Sequence, residues 1–191
     1  MQLTSNYYKL QRESIHPYQS RQFGIINKED ERVATFEEEP STSSDLGNQF
    51  LNLINLHPIC SFKMKLLTPN QEVLARLIKK KGWYNSILVQ TKDENITLHF
   101  KGSISQNIFA TDENGTTLFH CTGKNMASDF SIESEQGKFA TIHKRSIAAP
   151  TTKEAWLSED LYHIRANEWT KTEVLAILST TVMIDLYYHR R

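Results

Sequence analysis

The chain has 191 residues, a length that suits one domain, or one domain with a loose N-terminal arm. Its 22 Lys and Arg residues are balanced by 22 Asp and Glu residues, which argues against a dedicated nucleic-acid-binding protein with a basic footprint. Cys60 and Cys121 give neither a disulfide framework nor a metal-type spacing. We therefore expect two reduced, buried thiols in a cytoplasmic protein.

The first stretch of the chain, residues 1–20, shows no dependable period and is predicted to form the arm. It begins MQLTSNYY, without a basic segment followed by an apolar one, so no secretory signal is expected. Residues 21–191 are predicted to form a single domain.

Five strand–turn–strand units follow, with turns rich in Asp, Asn, Glu and Gly, as β-hairpins require. In one of them Phe62, Met64 and Leu66 alternate with two lysines, which indicates one buried and one exposed face. From the second unit onward they recur every 20 to 25 residues or so, a spacing typical of a repeated supersecondary unit. The units cover residues 23–36, 62–78, 86–100, 107–120 and 129–142.

The connections between these units are less regular. Residues 40–47 are predicted to be a loop, and residues 50–54 a short strand or turn. A second loop is predicted at 148–153, and residues 161–165 are predicted to form one last strand.

A C-terminal helix is the clearest single element. Thr170 and Glu173 have the spacing of a capping box, which predicts a helix over residues 171–188. From Val174 onward the segment is apolar nearly all round, so it is either buried or inserted in a membrane. Its apolar run is too short for an ordinary span and contains Asp185, which favours a buried core helix. We therefore predict a mainly β domain of repeated hairpins closed around this helix.

Side chains with catalytic spacing are missing from the sequence. There is no HExxH, GxSxG, P-loop or GxGxxG pattern, and the seven His residues are scattered, so we do not expect an enzyme. The segment 112–115, DENG, has some of the chemistry of a calcium loop. It lacks the ligand spacing of such a loop and is interpreted as a hairpin turn.

Three basic clusters could contact the anionic head groups of phospholipids, with aromatic residues Trp83, Tyr84, Tyr187 and Tyr188 beside two of them. Each cluster alone could equally be an ordinary solvated loop. The cations are Lys79, Lys80, Lys81, Lys144, Arg145, Arg190 and Arg191.

The ordered series of these elements resembles the phospholipid scramblase family, in the wider group that includes the tubby C-terminal and LURP-one domains. The resemblance runs from about residue 22 to residue 188, and no single motif in it is highly specific. Four stretches carry it: 23–39 (FGII to FEEE), 57–76 (HPICSF to EVLAR), 153–164 (KEAWLSEDLYHI) and 176–188 (AILSTTVMIDLYY).

The resemblance implies a closed antiparallel barrel of about twelve strands around the helix. It also implies work at membranes, either binding of anionic phospholipids or calcium-triggered movement of phospholipids between leaflets. Asp160 matches one acidic position of the family's calcium loop, whereas Ser158 and Trp169 stand at other positions of that loop. The cysteine-rich palmitoylation cluster and the proline-rich N-terminal arm of the family are missing. We therefore expect a cytoplasmic protein, peripheral at the membrane, with no resident cofactor.

An interaction module that kept the barrel without the lipid role is the alternative. It predicts an exposed apolar or aromatic patch and a protein partner. A third alternative is an enzyme whose pocket the sequence does not reveal.

Overall fold

The computed structural model describes residues 3, 5–13, 20–40, 60–82, 85–101, 106–123, 128–145 and 161–188. These residues form a closed barrel of antiparallel strands with one helix, α1 (Lys171–Tyr188). The strands are β1 (Tyr7–Arg12), β2 (Gln22–Ile26), β3 (Arg32–Glu38), β4 (Phe62–Leu67), β5 (Val73–Lys79), β6 (Ser86–Thr91), β7 (Asn95–Lys101), β8 (Gln106–Thr111), β9 (Thr117–Gly123), β10 (Asp129–Ser134), β11 (Gly137–Arg145) and β12 (Leu161–Ala166).

Each strand pairs with the next one along the chain, and β1 closes the ring against β12 with Leu10 opposite Tyr162. The predicted hairpins and the predicted last strand are confirmed, as is the mainly β barrel around a C-terminal helix. Closure leaves no unpaired sheet edge, which removes the usual template for edge-to-edge aggregation.

The barrel interior is filled by the inward side chains of the strands and by α1. Phe62, Met64 and Leu66 point inward and are at most 3% exposed, as their alternation predicted. On the helix, Val174 to Leu186 is buried on all sides. A strand face and a helix that each need an apolar partner thus bury one another.

The capping box at the start of α1 is formed as predicted. The Thr170 N–H donates to Glu173 Oε2 at 2.6 Å, and the Glu173 N–H donates to Thr170 Oγ1 at 3.2 Å. Inside the helix, Ser179 and Thr181 donate their hydroxyls to the carbonyls one turn earlier. Of the described residues, no helical segment is long and apolar enough to cross a bilayer.

The N-terminal segment differs from its prediction. Instead of belonging wholly to a loose arm, the chain forms β1 from Tyr7 to Arg12, and this strand pairs with both β12 and β2. Tyr8 and Leu10 enter the core at 1% and 0% exposure. Outside the described residues lie positions 41–47 of the loop predicted at 40–47, the short strand or turn predicted at 50–54, and the loop predicted at 148–153.

The two ends of the barrel differ in their connections. At one end, which we call the turn end, strands are joined by the short turns 27–31, 68–72, 92–94, 112–116 and 135–136, and α1 begins. At the other end, which we call the far end, the odd-numbered strands finish and α1 ends with Tyr187 against Phe100, their ring centroids 4.9 Å apart.

Candidate functional site

The described basic residues that the sequence singled out all lie at the far end. Lys80 and Lys81 follow β5 and are exposed, and Arg145 is exposed at the end of β11. Lys144 is half-buried, with its Nζ 5.7 Å from the centroid of the Tyr162 ring. The helix α1 also ends at the far end, at Tyr188.

Several predicted residues cannot be placed, since they lie outside the described part of the chain. They are Arg190, Arg191, Trp83, Tyr84 and the suggested calcium ligand Asp160.

Lys79 does not belong to the exposed basic set. Its side chain is 1% exposed, and its ammonium group donates to the carbonyls of Cys60, Lys80 and Gly82 at 3.1–3.2 Å. Burial lowers the pKa of this ammonium group. Lys79 therefore ties together the backbone around the end of β5 and cannot reach a membrane surface, which corrects the lipid-binding role expected from the sequence.

The two described far-end clusters lie on opposite sides of the barrel. Strands β6–β10 separate β5 from β11 in one direction, and β12 with β1–β4 separates them in the other. Lys80 and Lys81 therefore cannot form one compact pocket with Lys144 and Arg145. They can only act together on a surface broad enough to meet the whole end of the barrel.

The turn end has the opposite charge. Its connections contain two lysines, Lys28 and Lys92, among many carboxylates. The carboxylates are Glu29, Asp30, Glu31, Glu72, Asp93, Glu94, Asp112, Glu113, Glu135 and Glu168. Among the described residues, the turn-end connections thus carry a net negative charge, whereas the far end holds the exposed cations Lys80, Lys81 and Arg145 together with the carboxylates Glu13, Glu37, Glu39 and Asp129.

Below the far end, a row of basic groups crosses the outer surface of three neighbouring strands. Lys9 of β1 pairs in register with His163 of β12, which pairs with His143 of β11. Lys9 forms an ion pair with Asp30, and His143 Nδ1 lies 2.5 Å from Asp129 Oδ1. Sequence inspection missed this row because its members are far apart in the chain and only ring closure brings them together.

The surroundings of His163 disfavour its protonated form. Burial lowers the pKa of its imidazole, and the neighbouring charges of Arg145, Lys9 and Arg165 lower it further. Its Nδ1 lies 2.5 Å from the Tyr7 hydroxyl, while Nε2 is buried without a hydrogen-bond partner in the described structure.

Two buried ionic contacts connect the elements at the far end. Arg21 binds Glu38 through two side-chain hydrogen bonds of 2.9 and 2.6 Å. Inside the barrel, Asp185 of α1 accepts a hydrogen bond from Tyr162 and lies 3.5 Å from Arg12. Buried charges need such partners. We therefore interpret the contacts of Glu38 and Asp185 as structural connections.

Within the described ranges, no three His, Cys, Asp or Glu side chains are placed to hold a metal ion. Asp112 accepts the N–H groups of Asn114 and Thr116 at 2.9 and 2.8 Å, so the 112–115 segment forms the predicted hairpin turn. Cys60 and Cys121 are both buried and form no disulfide bond, as predicted.

Comparison of the chain with models of known protein families, with curated proteins and with solved structures gives no significant match in any of the three.

Proposed function

We propose that the protein binds anionic phospholipid membranes peripherally, with the far end of the barrel toward the bilayer. The observation that carries this proposal is the charge separation along the barrel axis. Lys80, Lys81 and Arg145 are exposed at the far end, whereas the turn end is crowded with carboxylates. A negatively charged surface attracts the first end and repels the second, which orients the molecule.

A membrane is a suitable partner because the cations are spread around the rim of the barrel. A small ligand could not touch Lys80 and Arg145 together, since they lie on opposite walls. A flat array of anionic head groups can contact both. The resemblance to scramblases supports the same type of partner, and its fold expectation agrees with the barrel.

The experiment is co-sedimentation of the whole protein with phosphatidylcholine vesicles, with and without phosphatidylserine, at low and high salt. We expect binding only with phosphatidylserine, and a loss of binding in high salt because exposed charges are screened. Each basic residue near the surface contributes about 1 kcal/mol. The double substitution Lys80→Ala with Lys81→Ala should therefore weaken binding by about an order of magnitude or more.

The matched control removes the same charge from the turn end, through Lys92→Ala with Lys171→Ala. Both lysines are exposed, so we expect a folded protein whose vesicle binding is unchanged. Equal losses in the two double variants would contradict the orientation, and no binding at low salt would reject the membrane role altogether. A dye-quench assay with and without calcium measures separately whether bound lipid moves between leaflets.

The interaction-module alternative depends on an exposed apolar patch. Over the described surface, Val73 is the single exposed large hydrophobic residue, at 46%. The described residues thus offer electrostatic rather than apolar docking.

A further inference from the structure

A groove opens on the outer surface of the barrel near the turn end, where the start of β1, the β2–β3 turn, β11 and the end of β12 meet. Its volume is about 510 Å³. Tyr7 and Phe139 supply aromatic surface to its lining. The polar side chains of the lining are those of Lys28, Arg165, Thr141, Asn6 and Asn167.

The groove is a basic site within an acidic end of the molecule. No carboxylate lines it. Of the acids beside Lys28 in its turn, Asp30 pairs with Lys9, and Glu31 accepts a hydrogen bond from Asn27 at 3.1 Å. Among the described residues, no ion pair involves Lys28 or Arg165. Both cations therefore keep their charge available to a ligand.

The strand register holds part of this lining in place. Arg165 lies between Tyr7 and Thr141 in one row across β1, β12 and β11. Its guanidinium carbon is 5.5 Å from the centroid of the Tyr7 ring, a cation–π contact that restricts the side chain. The Tyr7 hydroxyl is in turn 2.5 Å from His163 Nδ1. A guanidinium fixed in this way loses less freedom when it binds an anion.

We propose that this groove binds a soluble phosphomonoester, with Arg165 and Lys28 on the phosphate. A phosphomonoester carries nearly two negative charges at neutral pH, which matches two cations better than a phosphodiester does. The planar guanidinium can hold two phosphate oxygens at once, and Thr141, Asn6 and Asn167 offer further donors. The rings of Tyr7 and Phe139 provide an apolar surface for the organic part of the ligand.

A soluble source is favoured over a lipid head group by the position of the groove. Arg165 is close to the turn-end limit of β12, and the rest of this strand separates it from the far end by about 13 Å. Glu29 and Glu168 follow the lining residues Lys28 and Asn167 in the chain, and both carboxylates are exposed at this end, where they oppose a negatively charged bilayer. The inference does not rest on the proposed membrane binding and can be tested without it.

The experiment is calorimetric titration of the whole protein with phenyl phosphate, and with its methyl diester as the matched ligand of lower charge. We expect saturable binding of phenyl phosphate and much weaker binding of the diester. Arg165→Ala and Lys28→Ala should each weaken phenyl phosphate binding about tenfold, since each removes a charge-assisted hydrogen bond. Lys92→Ala, in the exposed turn between β6 and β7, should leave the affinity unchanged.

A second experiment distinguishes a soluble phosphomonoester from the phosphate of a lipid head group. Vesicles that contain phosphatidic acid present the same phosphomonoester as a lipid head group, and Arg165→Ala should not alter co-sedimentation with them. A loss of this binding, with phenyl phosphate unaffected, would overturn the soluble ligand. Binding that is unsaturable, or equal in Arg165→Ala and the parent, would overturn the site itself. Since Arg165 and Lys28 are exposed, both variants should keep the unfolding temperature of the parent, and thermal unfolding checks this.

Discussion

The hydroxyl of Tyr162 donates a hydrogen bond to the carboxylate of Asp185 at 3.0 Å, which connects the barrel wall to the central helix. Both side chains are fully buried. Tyr162→Phe removes one donor from a buried charge without changing the packing volume. We expect the free energy of unfolding to fall by about 1–3 kcal/mol, as measured by chemical denaturation.

The matched test of this contact is a double-mutant cycle with Asp185→Asn. If the hydrogen bond to the Asp185 carboxylate causes the loss of stability, Tyr162→Phe should lower the free energy of unfolding by less in the Asp185→Asn background than in the parent. Additive effects would mean that Tyr162 acts through its ring alone.

Leu178 lies in the middle of α1 and is fully buried among the strands. Leu178→Ala should lower the free energy of unfolding by about 2–5 kcal/mol, because it removes apolar contacts and leaves a cavity. The control is Val73→Ala at a 46% exposed position, where we expect a change within about 0.5 kcal/mol. Comparable small effects at both positions would show that α1 is not part of the core.

Burial raises the pKa of the Cys121 thiol to about 12. The reactive thiolate is therefore almost absent at pH values near neutrality, and the side chain is also closed to solvent. In a Cys60→Ser background, Ellman's reagent should modify Cys121 only in denaturant. Rapid modification of the native protein would show that the barrel opens near β9.

The lowered pKa of His163 predicts that acid destabilises the barrel. Between the ordinary imidazole pKa of 6.5 and the lower value in the folded protein, the unfolded chain binds more protons at this residue. The contribution of His163 to the free energy of unfolding therefore rises with pH through that window. As the pH falls through the same window, this contribution is lost. Denaturation at about pH 5 and about pH 7.5 measures the difference.

His163→Gln removes this contribution, so the variant should lose less stability on acidification than the parent. His120→Gln on the exposed surface of β9 is the control, and it should keep the acid sensitivity of the parent. An unchanged pH dependence in His163→Gln would assign the acid effect to other groups.

Most of the fold follows from patterns in single segments. The hairpins have turns with suitable residues between alternating strands, and the capping box marks the start of α1. The first strand has weaker signals, because Tyr8 and Leu10 are its only inward apolar residues and the next inward position is Arg12, which reaches Asp185. A polar residue on the buried face breaks the alternation that identifies a strand.

The candidate sites were harder to predict, since they depend on which strands become neighbours. Lys79 stood out with Lys80 and Lys81 as a run of charge, yet the phase of β5 already puts Ala75, Leu77 and Lys79 on the inner face. Conversely, Lys28 and Arg165 attract no attention in the sequence. They meet only because β1 closes the ring beside β12.

The helix that fills the barrel is synthesised after all twelve of its strands. Until α1 has left the ribosome, the inner faces of the strands have no apolar partner, although each hairpin can already form from residues close together in the chain. The joint between β1 and β12 combines the first strand of the barrel with its last, so it can close only after all twelve strands have been synthesised. A nascent chain that stalls before α1 should therefore expose both unpaired strand edges and an apolar inner surface, and should require a chaperone to remain unaggregated.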